Sequence, residues 1–301
     1  MSRSDTGASL AGLGACVLWA STIGVSRLLT EPLGPMTTGG VLFVLAGLVG
    51  GAWFYRTAEG RRRLRGLPLR YLLGCGAIFI AYQVSLYGAI GLAAGRQQVV
   101  EAGVINYAWP GLTLLLSIPL LGRRPRRAFP LGILIATAGV VLVMTPRGGW
   151  SFEGFLANVR ANAVAYGLAA SAAVTWALYS NLIRRWAGGV RGGALPLFSV
   201  IGGVVMLALR GPLGDPSPQW SWGILPPLAF MVIGPTMLSY ILWDVAMRRG
   251  NPTVSASAAY ITPILSTLTS AVVLQILPAP AVWVGCGLVV AGAVICRVSL
   301  R

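Results

Sequence analysis

Two carboxylates, Glu101 and Asp244, are the only acidic side chains inside the apolar stretches of this chain. A charge at that depth is costly, so an acid kept there holds a proton, pairs with a cation or guards a passage. Glu101 lies a little over one helical turn from the end of its stretch. It reads either as a hydrogen-bond partner of Gln97 or Gln98 on its own helix, or as an outer gate closed with Arg96 or Arg27. Asp244 stands four residues before Arg248. At that spacing it is either half of a solvated helical salt bridge or an inner gate or proton site. If protons drive any process here, these two acids must carry them.

Aromatic and amide side chains form the richer set. Candidates to line a solute path are Trp19, Tyr82, Gln83, Asn106, Trp109, Trp176, Tyr179, Tyr240, Trp243 and Tyr260. The competing reading for each aromatic is a lipid-facing belt or plain helix packing; that reading suits Trp220 and Trp222, which sit at a boundary. Asn106 cannot face lipid unsatisfied, so it either lines a path or braces two helices. Pro110 and Pro263 each remove a backbone donor and clash with the preceding turn. Both read as hinges, with freed carbonyls near Asn106 and Ala259 that could take an ammonium group.

The chain has no histidine and no lysine among its 301 residues. Ser-His-Asp triads, HExxH zinc sites, P-loop lysines and Schiff bases are thereby excluded. Cys16, Cys75, Cys286 and Cys296 fall in apolar stretches without CxxC spacing and read as packing residues. No metal, cofactor or catalytic set is expected, and the chain does not read as an enzyme. No arginine sits at mid-stretch, which argues against phosphate or nucleotide-sugar solutes. A neutral or zwitterionic solute with an apolar body remains.

The elements that must position these residues are membrane spans. Hydrophobic residues make up 56% and charged residues 10%, with mean hydropathy +0.76, whereas a soluble domain carries about 25% charged residues. The net charge of +16 does not mark a nucleic-acid binder. The arginines gather in short gaps such as 61–65 and 123–127, where they set topology and meet lipid headgroups. Ten spans of about 20 residues are expected over 8–29, 35–55, 71–94, 97–120, 129–145, 163–183, 194–210, 223–247, 252–275 and 279–296. The fifth, seventh and tenth are expected to be short. With the N-terminus inside, 18 arginines fall on the inner side and 5 on the outer, which places both termini in the cytoplasm.

The second half repeats the first. Trp19 and Trp176 are 157 residues apart, Gly95 and Gly250 155, and Tyr107-x-x-Pro110 and Tyr260-x-x-Pro263 153; Gly132 and Gly139 match Gly285 and Gly292, again at 153. An odd number of spans per half inverts the second half. Residues 1–147 then form one five-helix repeat, 148–162 an external connection with an amphipathic piece, and 163–301 the second repeat. The fold class is all-α, polytopic, with a solute site between inverted halves as in secondary transporters.

Ten spans, inverted halves, prolines in the fourth and ninth helices and the final Pro280–Val294 helix together resemble the EamA branch of the drug/metabolite transporter superfamily. Within it the chain is most similar to the aromatic amino-acid exporters of bacterial inner membranes. The resemblance implies a multi-pass inner-membrane exporter, monomer or homodimer, whose partners are the bilayer and small solutes such as Phe, Tyr and Trp. Export of other amphiphilic metabolites or drugs, or uptake, stays open.

Overall fold

The structure, a computed structural model, describes residues 3–144, 151–187, 193–265 and 280–300. Among these residues all regular structure is helical, apart from an isolated antiparallel bridge between Pro125 and Leu300. Six helical stretches are long and apolar enough to cross a membrane: Pro35–Tyr55, Tyr71–Gly91, Glu101–Leu121, Ala163–Ala187, Trp222–Arg249 and Pro280–Ser299. Shorter apolar helices cover Gly7–Ala20, Phe129–Val143 and Leu195–Leu209. A polytopic membrane protein follows from length and composition.

In chain order the helices are α1 (Arg3–Ala20), α2 (Thr22–Leu33), α3 (Pro35–Tyr55), α4 (Ala58–Arg65), α5 (Gly76–Gly91), α6 (Arg96–Asn106), α7 (Trp109–Leu121) and α8 (Phe129–Met144). They continue with α9 (Phe152–Ala161), α10 (Ala163–Ala187), α11 (Leu195–Leu209), α12 (Leu225–Met231), α13 (Ser239–Arg249), α14 (Pro252–Ala258) and α15 (Pro280–Ser299). Several start where the sequence supplies a cap. Thr57 accepts from Gly60 N–H ahead of α4, Ser151 from Gly154 N–H ahead of α9, and Asn251 from Thr253 N–H ahead of α14, each at 3.0 Å.

The second span coincides with its expected bounds, and the tenth is a full 20 residues rather than short. Three expected continuous spans are broken. The first stops at Ser21, whose amide and hydroxyl both turn back onto the Leu18 carbonyl, at 3.3 and 2.7 Å; this local competition ends the helical ladder. The fourth breaks at Tyr107–Ala108 and the ninth at Ala259–Tyr260. Each break carries a tight i→i+3 bond, from Ala108 N–H to the Ile105 carbonyl (3.0 Å) and from Tyr260 N–H to the Ser257 carbonyl (3.4 Å). The prolines follow, as the second residue of α7 and at 263. The eighth span continues through π-helical turns over Val232–Leu238 around Pro235, with the Ser239 hydroxyl donating to the Pro235 carbonyl. The rest of the ninth span, 266–275, lies outside the described residues, as do 148–150 of the connection.

Packing joins helices far apart in sequence. α3 lies along α11, and α8 along α15. Glycine makes both approaches close. A Cβ on Gly203 would stand 2.6 Å from the Gly40 carbonyl oxygen, and one on Gly292 2.4 Å from the Ala136 nitrogen. α1 packs on α13 and α14, while α10 packs on α5 and α7. The loop before α12 is tied down as well: Asp215 caps α3, accepting from Met36 N–H (3.0 Å) and from the Thr37 amide and hydroxyl (2.7 Å each). Gly34, at φ 81°, leaves room for it; a Cβ there would meet the Asp215 carboxylate at 2.6 Å.

Candidate functional site

Seven of the ten candidate path residues meet in one aromatic cluster. Trp19 of α1 lies 5.5 Å ring to ring from Tyr240 and Trp243 of α13, 5.6 Å from Trp176 of α10 and 6.2 Å from Trp109 of α7. Tyr82 of α5 lies 4.7 Å from Trp176, which stacks on Tyr179 at 5.4 Å. Three of these six contacts are edge-to-face, an arrangement the ring quadrupoles favour. Trp243 is held further by its indole N–H, which donates to the Ser180 hydroxyl at 3.0 Å.

Sequence reasoning passed over two members, Phe43 of α3 and Phe79 of α5. Phe79 touches Tyr82, Trp176, Tyr179, Phe198 and Tyr240. Neither phenylalanine carries a polar atom, and the sequence reading drew its candidates from Tyr, Trp, Asn and Gln side chains, so it gave no signal for them.

Several candidate residues have buried polar atoms with no hydrogen-bond partner among the described residues. Gln83 is fully buried, and neither its amide oxygen nor its nitrogen has a hydrogen-bond partner. Its oxygen presses on Gly202, where a Cβ would come within 1.7 Å. The Tyr179 hydroxyl and the Asn106 side-chain oxygen are likewise without partners. Buried groups in this state are rare and call for a reason.

Tyr260 lies elsewhere. It packs in a second core with Leu114, Phe129, Ala136 and Val289, its hydroxyl against Gly111. The Ala259 carbonyl, expected to be free for a ligand, accepts from Thr262 N–H at 3.1 Å. Pro110 and Pro263 are both buried, just past the breaks in their helices.

Asp244 does pair with Arg248, but the pair is not solvated: the two side chains are 5% and 4% exposed. One carboxylate oxygen, Oδ2, accepts from both Nε (2.8 Å) and Nη2 of the guanidinium, whereas Oδ1 has no partner. Arg184 fixes the same helix end by donating to the carbonyls of Met247, Arg248 and Gly250 at 3.2, 3.3 and 2.7 Å. A cavity of ≈ 260 Å³ opens beside the pair.

Glu101, 2% exposed, accepts from residues the sequence did not nominate. The Tyr166 hydroxyl of α10 donates to Oε2, and the Asn158 amide of α9 lies 3.2 and 3.3 Å from its two oxygens. Gln98 Oε1 instead accepts from Ala94 N–H (2.9 Å) and the Asn162 amide (2.8 Å). The side chains of Gln97, Arg96 and Arg27 lie outside the described set. A faint signal was present: Gln98 and Glu101 are three apart, Asn158 and Asn162 four apart, so two polar stripes at helical spacing sit at one level.

The model of the EamA-like transporter family matches the chain twice, over residues 6–145 and 163–298. The chain belongs to the EamA-like transporter family. This transporter is 30% identical over 296 residues, 98% of either chain, to the aromatic amino acid exporter YddG of Escherichia coli (strain K12). It is 32% identical to the exporter of the same name from Ancylobacter novellus, with full coverage of both. A solved crystal structure at 28% identity superposes with a TM-score of 0.81, covering 98% of both chains.

Proposed function

We propose that this transporter exports neutral amino acids, aromatic ones among them, across the bacterial inner membrane by alternating access. The observation that carries the reading is the ring cluster. Trp19, Tyr82 and Trp109 come from before the 148–162 connection, and Trp176, Tyr179, Tyr240 and Trp243 from after it. An aromatic solute entering there replaces ring contacts worth about 0.5–1.5 kcal/mol each with others of the same kind. The unpartnered polar atoms of Gln83, Asn106 and Tyr179 are donors and acceptors for its zwitterionic end. The names of the relatives agree with this solute class.

The proposed scaffold is ten spans in two inverted repeats, 1–147 and 163–301, with both termini cytoplasmic and 148–162 outside. The two separate matches to one family model support it. So does the packing. Exchanging the halves turns the α1–α13 contact into α10–α5 and the α1–α14 contact into α10–α6, while α3–α11 and α8–α15 map onto themselves. Within this scaffold Glu101 closes the outer side, Asp244 the inner, and the breaks before Pro110 and Pro263 are the bending points.

Proteoliposome flux with a panel of radiolabelled amino acids, with and without a proton gradient, tests the solute class and the coupling. Saturable movement of Phe, Tyr and Trp is expected; flux no greater than in empty liposomes for every amino acid ends the reading. Single cysteines at Ser4 and Ser217, in a background without native cysteines, should label from opposite sides of sealed cells. Labelling of both from outside refutes the topology.

A further inference from the structure

The cavity beside Asp244 and Arg248 has features that a salt bridge alone does not need. Its walls are largely apolar, with Leu195, Pro196, Ile241 and Val245 among them, and Arg63 and Arg249 line it as well. Its ≈ 260 Å³ falls a little below the span of about 300–1,000 Å³ typical for drug-sized ligands, which suits one molecule of amino-acid size. Both arginines are exposed; Arg63 is paired with Glu59 on its own helix, so Arg249 brings most of the positive charge to the pocket. Asp244 is among the lining residues, and its Oδ1 is buried there without a hydrogen-bond partner. The pair is also boxed in from the side: a Cβ on Gly193 would stand 3.2 Å from Arg248 Nη2 and 3.3 Å from Asp244 Oδ2. The Gly193 carbonyl accepts from the Tyr55 hydroxyl at 2.9 Å, which holds that backbone in place.

We propose that this pocket is a loading subsite, on the side from which solute is taken up, for the head of a neutral α-amino acid. The inference rests on the export reading and extends it to a second place on the path. The ammonium donates to Asp244 Oδ1, which supplies that oxygen with the partner it lacks. The carboxylate lies toward Arg249 and Arg63, and the side chain rests on the apolar wall. A phosphate headgroup fits less well, because it would bring a second negative group beside the Asp244 carboxylate. Arg248, already engaged by Asp244, fixes that carboxylate in position rather than binding the solute.

Three probes separate the two ends of the solute: L-phenylalanine, phenethylamine without the carboxylate, and 3-phenylpropionate without the ammonium. Val245→Cys in the full-length protein, with the native cysteines replaced, reports pocket occupancy through its rate of thiol labelling. L-Phenylalanine should protect, and either analogue should need about tenfold more for the same protection, the factor that one lost charge-assisted hydrogen bond implies. Arg249→Gln changes an exposed side chain and so should leave folding intact. It should weaken L-phenylalanine and 3-phenylpropionate alike and leave phenethylamine unchanged. Asp244→Asn should weaken L-phenylalanine and phenethylamine and spare 3-phenylpropionate.

Equal potency of the three probes, protection by phosphatidylglycerol vesicles alone, or no protection at all overturns the subsite. L-Phenylalanine flux from the same preparation separates the two claims. Flux without protection removes the subsite and leaves export standing, whereas protection without flux keeps the subsite and removes export.

Discussion

Glu101 and Asp244 meet the same difficulty, a carboxylate inside an apolar bundle, with different described partners. Around Glu101 the described partners are neutral donors from two other segments, Asn158 on α9 and Tyr166 on α10. Around Asp244 the partner is a cation one turn along the same helix, and one oxygen is left over. The first arrangement ties segments together and breaks when they separate. The second travels with α13 as a unit and keeps hydrogen-bonding capacity for something else. Tertiary bonds suit a closure, and a local pair with a spare oxygen suits a binding group.

The largest effect is expected from Arg248→Ala. It strands a buried carboxylate and should lower stability by about 3–5 kcal/mol, the usual result of removing one partner of a buried pair, as read by thermal unfolding in detergent. Asp244→Asn combined with Arg248→Met should recover most of that loss. If Arg248→Ala unfolds with the wild type, the Asp244 end is solvated and the contrast fails. Tyr166→Phe deletes one bond to Glu101 and should cost about 1.5–3 kcal/mol, the range for a hydrogen bond to a charged group. Thiol labelling from the outside, at a cysteine placed near Glu101, should speed up in the same variant. Asn158→Ala, on a half-buried residue, should follow the same direction with about 0.5–1.5 kcal/mol.

Pro110→Ala touches neither carboxylate. It should leave the unfolding midpoint near that of the wild type and cut turnover severalfold with little change in solute affinity, because the lesion is in the moving part. Native turnover in that variant makes the proline a packing feature.

Much of this was legible because membrane spans obey simple rules. Pro35 after Gly34 and the polar run from Arg56 bounded the second span without ambiguity. The requirement to face protein applied to Asn106, whereas the Tyr and Trp candidates were chosen as aromatics within spans, and the structure gathers most of them in the ring cluster. The break at Ser21 was hidden, because a serine that bonds back to a carbonyl three residues earlier looks like any other serine in sequence. The partners of Glu101 lie 57 and 65 residues away, a separation no local pattern encodes. The burial of the Asp244–Arg248 pair was missed for a related reason. Spacing of four announces a salt bridge but not the neighbours, Tyr71 and Gly193 among them, that close over it.

The central claim is that the rings shared by the two halves form the path for an aromatic solute. Its most direct test is flux of radiolabelled L-phenylalanine into proteoliposomes by the wild type, Trp109→Leu and Trp222→Ala, each first shown to be folded by size exclusion. Trp222 is 88% exposed and lies outside the cluster, so its variant should keep the native rate. Trp109→Leu should lose most of the flux while remaining folded. Native flux in a folded Trp109→Leu protein would contradict the account.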